Sequence, residues 1–266
     1  MLIRMQRLLR RRGPFLDCLT DMANEEATST DDEVREAAIE LAKQLCQSAV
    51  GRLGNEFLGF YLLGSLAHGG FNRRYSDIDI GLISEYGVDD AFLEVLKAEA
   101  EAIAPDLAHR VSLFWADCEF SKGRFPPLDR LDYLEHAVAL YEIEKVVVPK
   151  PDLEEIRVYL RGAPFEQWAE RGTVFSTQSA LDPDDRKSYL KTHLYPARFA
   201  FSWITGQIGS NDTALEYLHA HPVNGLDVQL LDRALACRHA AADPDILFDD
   251  RTSLPVQYQA CAQLMT

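Results

Sequence analysis

Two aspartates two residues apart, Asp77 and Asp79, follow a Gly-Ser pair, Gly64 and Ser65, across a short loop. The stretch reads Leu63-Gly-Ser-Leu-Ala-His-Gly-Gly-Phe-Asn-Arg-Arg-Tyr-Ser-Asp-Ile-Asp-Ile-Gly-Leu-Ile83, with apolar runs at both ends. Carboxylates at i and i+2 of a strand project from one face, about 7 Å apart, and repel each other unless a cation joins them. Magnesium suits that position, because it takes carboxylate oxygens together with the oxygens of a triphosphate. There it neutralises developing charge and aligns the attacking and leaving oxygens. A Gly-Ser turn between a strand and a helix start leaves backbone N–H groups for phosphate, and the Ser65 hydroxyl adds a donor. The pattern can therefore hold a nucleoside triphosphate with its magnesium.

The elements that must position these groups follow from periodicity. Phe57-Leu-Gly-Phe-Tyr-Leu-Leu63 is a continuous apolar run and reads as a buried strand. Ser76 to Ile83 reads as a second strand, with Asp77 and Asp79 on one face and Ile78 and Ile80 on the other. Ahead of them, Thr30-Asp-Asp-Glu33 has the form of a capping box and leads a helix with Val34, Ala37, Ala38, Leu41 and Leu45 on one face. A helix over Asp89–Ile103, a strand over Val111–Ala116, a loop over Gly123–Pro127 and a helix over Leu128–Leu140 come next. Lys145 to Pro149 reads as a short edge strand, and Pro149-Lys-Pro151 marks a domain boundary. From Asp152 onward the pattern is helical: a long helix starts at Asp182-Pro-Asp-Asp185, Asn211-Asp212 caps the next, and Leu226–His239 forms another. Tyr195, Phe199, Phe201 and Trp203 on the long helix read as core. Lys187, Lys191 and Arg198 on it, and Arg73 and Arg74 in the motif loop, are candidates to reach a triphosphate.

Composition narrows the partners. The 266 residues carry a formal charge of −15, so an anionic nucleic-acid backbone is disfavoured and a cationic small molecule is attracted. No apolar run approaches the ~18 residues of a membrane span. Five scattered cysteines without a Cys-x-x-Cys suggest reduced thiols and a cytoplasmic location. Residues 1–12 hold Arg4, Arg7, Arg10, Arg11 and Arg12 with no acid; they read as a basic extension, and 13–29 as a linker.

The motif resembles that of the nucleotidyltransferase superfamily: Gly-Ser, a short loop, then Asp-x-Asp. A second stretch, Arg198-Phe-Ala-Phe-Ser-Trp-Ile-Thr-Gly-Gln-Ile-Gly-Ser-Asn-Asp-Thr-Ala-Leu-Glu-Tyr217, is similar to the C-terminal helical domain of aminoglycoside adenylyltransferases of the streptomycin/spectinomycin type. The resemblance covers roughly residues 50 to 245. It implies an α/β nucleotidyltransferase domain with a short mixed sheet (30–150), after the extension (1–29) and before an all-α helical bundle (151–266). It implies transfer of AMP from ATP to a hydroxyl of a small acceptor, most readily an aminoglycoside. Asp77 and Asp79 would hold magnesium, and Gly64 and Ser65, with Arg73 and Lys191, would bind the nucleotide.

Two departures stand out. The family opens its next central strand with a glutamate base, and here the aligned position is Arg110, which cannot accept a proton. A nearby acid such as Asp117 or Glu119 could substitute, or the acceptor could need little base help, or the chain could bind nucleotide with little or no transfer. The family's antibiotic-binding tryptophan is also missing from Leu128–Tyr141, where Leu131 stands near its place. The intact Asp-x-Asp favours a working enzyme. Its competitors are a protein- or tRNA-modifying nucleotidyltransferase and a non-catalytic nucleotide-binding regulator.

Overall fold

The computed structural model describes residues 30–143 and 146–266, so the basic extension and linker of 1–29 lie outside the described residues. Helix α1 (Asp31–Leu53) begins with the expected capping box: the Thr30 side chain accepts from the Glu33 N–H, and the Glu33 carboxylate accepts from the Thr30 N–H. Ala38, Leu41, Ala42, Leu45, Cys46 and Ala49 form its buried face.

The motif strands follow as β1 (Phe57–Leu62) and β2 (Ile78–Ser84), with the one-turn helix α2 (Gly64–His68) between them. Next come α3 (Asp90–Ile103), α4 (Pro105–Ala108), β3 (Val111–Asp117), β4 (Gly123–Arg124), α5 (Pro127–His136) and β5 (Val138–Glu142). The five strands form one mixed sheet in the order β4-β3-β2-β1-β5. Strands β2 and β3 run parallel, and the other neighbours are antiparallel. The buried face of α1 packs on Phe57, Phe60, Leu62, Ile78, Ile80 and Leu82 to make the first core.

Three local expectations at the sheet's edges are corrected by the structure. The helix read as Leu128–Leu140 stops at His136, and Val138–Glu142 becomes the edge strand, pairing along β1 from Leu62↔Val138 to Gly59↔Glu142. Val146 to Pro149, expected as that strand, forms none. A short apolar run is ambiguous by periodicity, and the free edge of β1 decides it by offering backbone partners. Gly123 and Arg124, expected in a loop, pair with Ala116 and Trp115. Gly123 takes φ +117°, and a Cβ there would strike the Trp115 carbonyl.

The remaining helices are α6 (Leu153–Arg161), α7 (Ala163–Thr177), α8 (Arg186–Thr205), α9 (Asn211–Ala220), α10 (Val228–His239) and α11 (Leu254–Leu264). Helix α8 runs through Pro196 and buries Tyr189, Leu190, Leu194, Phe199, Phe201 and Trp203 among its neighbours, as expected for a core helix. Ser210, not Asn211, caps α9, its side chain accepting from the Thr213 N–H. Leu131 of α5 joins the core around Phe199 and Trp203, while Tyr75 of the motif loop joins a core with Tyr189 and Leu190. The helical cores thus grip the sheet's functional edge on both sides. Among the described residues no helix is long and apolar enough to cross a membrane.

Candidate active site

The end of β1 is pinned to β2 by a hydrogen bond from the Leu63 N–H to the Asp79 carbonyl, 2.9 Å long. This places Gly64 against Asp79. Gly64 has φ +59°, and any Cβ on it would collide with the Asp79 carboxylate. Glycine is required there by both backbone and space. The Ile78 N–H in turn donates to the Arg110 carbonyl at 2.9 Å, which aligns the starts of β2 and β3.

Asp77, Asp79, Gly64 and Ser65 come together, as expected, on a cavity of about 330 Å³. Lys191, Arg198 and Arg238 also line it, so α8 and α10 bring cations to the sheet edge. Asp77 accepts from Lys187 Nζ at 2.5 Å and also from Lys191 Nζ. Burial works to raise the Asp77 carboxyl, but the two ammonium groups outweigh it and hold the group below its ordinary value. Asp79 behaves in the opposite way. Burial, and then the charge on Asp77, push it up to about 7. The pair is therefore split, one carboxylate neutralised by lysines and the other short of positive charge.

Arg73 is not brought to the cavity wall. Its backbone N–H donates to Asp31 at 2.7 Å, and its carbonyl accepts from the Arg110 guanidinium. Arg74 pairs with Asp243 at 3.2 Å. Arg110 therefore sits beside Asp77, where the resemblance asks for a base, and is used to fasten the motif loop. Asp117 lies at the far end of β3, opposite Ser84, and closes a turn by accepting from the Ser121 N–H and hydroxyl. Asp117 does not line the cavity, and nor does Glu119.

The sequence reading missed four contributors. Asp129 and Asp132 of α5 line the cavity, and Asp132, which is buried, accepts from the Gly64 N–H and faces His136 Nδ1 at 3.2 Å. Their i, i+3 spacing on a helix was a usable signal, since such residues share a face. His68 stands at the mouth, its ring edge-on to His136 at 5.3 Å. Arg238 clamps the motif loop, donating to the Gly70 carbonyl at 3.2 Å and the Ser76 hydroxyl at 3.0 Å. Those contacts span more than 160 residues, and no local pattern announces them.

No protein-family model matches the chain, and no curated protein matches it by sequence. Among solved structures, the spectinomycin adenyltransferase AAD(9) of Enterococcus faecialis, in a crystal structure with ATP and spectinomycin, matches with a TM-score of 0.60. The match covers 87% of this chain and 99% of that one at 12% sequence identity. The two chains share a fold. On the nucleotidyltransferase fold the cavity lies between the mixed sheet and the helical half, bounded by β2, β3, α2, α5 and α8. The first turn of α2 and the start of β2 supply its sheet side; Tyr159, Trp168, Tyr195 and Phe199 supply apolar wall from the helices.

Proposed function

We propose that the protein is a magnesium-dependent nucleotidyltransferase that moves AMP from ATP to a hydroxyl of a small acceptor. The observation that carries this is the convergence of Asp77, Asp79, Gly64, Lys191 and Arg198 on one cavity of the nucleotidyltransferase fold. In this reading the acceptor oxygen attacks the α-phosphorus, the bond to the β-phosphate oxygen breaks, and pyrophosphate leaves. Gly64 and Ser65 offer donors to the β- and γ-phosphates. Lys191, with Lys187, Arg198 and Arg238, supplies positive charge to a triphosphate, and Arg110 holds the motif loop from behind through the Arg73 carbonyl. The division into a nucleotidyltransferase unit (30–150) and a helical unit (151–266) belongs to the same reading, as does a cytoplasmic location.

The donor set fits magnesium. Asp77 and Asp79 are two carboxylates at the sheet edge, and burial, then the charge of Asp77, push Asp79 up to about 7. One or two carboxylates plus substrate phosphates make an ordinary magnesium site. Asp77 and Asp79 would hold the ion, which supplies neutralisation of the triphosphate. The relative's spectinomycin supports an aminoglycoside-type acceptor here, and the acidic wall of Asp129 and Asp132 suits a cation.

A second reading is favoured by Arg110. No acid of β3 reaches the cavity, which suits a protein that binds MgATP without turnover. AMP transfer from α-labelled ATP, with magnesium and a panel including streptomycin and spectinomycin, separates the two. A labelled antibiotic that disappears in Asp77→Ala supports the enzyme. Tight MgATP binding by calorimetry with no labelled product supports the regulator and ends the aminoglycoside assignment.

A further inference from the structure

Five aspartates line the cavity among the described residues, and four have a task. Asp77 holds two lysines, Asp79 lies against Gly64, Asp132 accepts from the Gly64 N–H, and Asp212 pairs with His239 at 2.8 Å. The fifth, Asp129, is half-buried, and no donor among the described residues hydrogen-bonds to it. It stands in the first turn of α5 and lines the cavity together with Tyr159 and Trp168 of the helical side.

We propose that Asp129 is the general base of nucleotidyl transfer, standing in from α5 for the acid that β3 lacks at Arg110. The proposal rests on the nucleotidyl-transfer reading above. The acceptor O–H gives its proton to the Asp129 carboxylate as its oxygen bonds to the α-phosphorus, and the bond from that phosphorus to the pyrophosphate oxygen breaks with its electron pair. The proton then passes to solvent when the product leaves. Each atom is accounted for, and no further reactant is needed.

The surroundings suit the task. In the metal-free protein burial, then the charges of Asp79 and Asp132, raise the Asp129 carboxyl, against the opposing pull of Arg198 and Arg124. Tyr159 also faces it. The rival base is His68, but it sits on α2 at the exposed mouth, three residues past Ser65. An acid on a helix can replace one on a strand because a base needs only hydrogen-bond reach of the acceptor hydroxyl, wherever its backbone lies.

The experiment follows α-labelled ATP with magnesium in wild type, Asp129→Ala, Asp129→Asn, Asp129→Glu and His68→Ala. The acceptors are spectinomycin, streptomycin and water, and MgATP affinity and thermal unfolding are measured in parallel. The expected result is a fall in kcat of about 10²–10⁴-fold in Asp129→Ala and Asp129→Asn, with MgATP affinity kept and with added formate restoring turnover to Asp129→Ala. A wild-type rate in Asp129→Ala overturns the assignment, as does a higher KM for the antibiotic with kcat unchanged. A loss that formate does not restore, with Asp129→Glu equally inactive, marks a structural role and also overturns it. The same loss in His68→Ala alone moves the base to His68. If wild type itself transfers AMP to nothing while binding MgATP, the nucleotidyl-transfer reading fails, and the base with it.

Discussion

The backbone N–H of Gly64 donates to the carboxylate of Asp132, 68 residues away in sequence. An anion from α5 thus sits on the amide that the proposed function gives to a phosphate. The two anions compete for one donor, so nucleotide must displace Asp132 or share the amide with it. Asp132→Asn keeps an acceptor of the same shape and removes the negative charge. Its expected effect is tighter MgATP binding by calorimetry, together with stability lowered by roughly 1–3 kcal/mol in urea unfolding, as charge-assisted bonds to Gly64 and His136 weaken. Weaker MgATP binding in this variant would show that Asp132 supports the triphosphate instead of opposing it.

Asp77 is the one carboxylate gripping both Lys187 and Lys191, with about a quarter of each side chain exposed: 27% for the acid, 28% and 24% for the lysines. Asp77→Asn leaves two ammonium groups side by side without their counter-charge. Transfer of AMP should fall below detection, because a neutral amide is a poor magnesium ligand. The folded protein should also lose stability, by about 1–3 kcal/mol after discounting the partial exposure. A double variant, Asp77→Asn with Lys187→Met, should recover part of that stability and none of the activity. Equal stability of the single and double variants, read from chemical denaturation, would mean that the lysines are indifferent to the acid.

How much of this site could be read beforehand depended on whether the signal was local. The Thr30–Glu33 capping box, the Gly64-Ser65 turn and the facing pair Asp77 and Asp79 are set by spacings of one to three residues, and each forms as expected. Strand β5 was hidden because Val138-Ala-Leu-Tyr141 continues a helical pattern, and only the vacant edge of β1 turns it into a strand. Arg110 was visible as a misplaced cation, yet its use, fastening the Arg73 carbonyl, is a loop contact without a sequence mark. Asp129 and Asp132 were not singled out, because the cavity that gives them a place is completed by α8, which begins more than fifty residues later.

Asp79 and Asp129 predict how stability changes with pH. Both carboxyls are pushed up to about 7, by burial first and then by neighbouring aspartates. An unfolded aspartate ionises near ~3.9. Below that pH both states hold the proton and neither group matters. As pH rises from there toward 7, the unfolded chain alone releases protons, so each group lowers the stability of the metal-free protein across this window and by a constant amount above it. His193, buried and lowered to about 3, pulls the other way over the acid part of the range, so the informative quantity is a difference between proteins. Asp129→Asn should gain stability over wild type as pH goes from 5 to 7, by up to about 1.4 kcal/mol per pH unit, and hold that gain to pH 8. Thermal or urea unfolding in a chelator, run in parallel on the two proteins, measures it. A difference that stays flat from pH 5 to 8 would place the Asp129 carboxyl in the ordinary range.

Gly64 tests the sheet edge without touching any charge. Its φ of +59° costs a non-glycine residue about 1–2 kcal/mol. The added methyl would also turn the Asp79 carboxylate out of its place at the sheet edge, because the Asp79 backbone is tied to the Leu63 N–H and its strand is paired on both sides. Gly64→Ala should therefore unfold at a lower temperature and bind MgATP at least tenfold more weakly. Ser65→Ala, which removes one hydroxyl donor and no backbone freedom, should weaken MgATP by only about 0.5–1.5 kcal/mol and leave the unfolding temperature near that of wild type. Calorimetric titration of both variants tests the contrast. Equal losses in the two would mean that the Ser65 hydroxyl carries the phosphate contact, and that the glycine serves the fold alone.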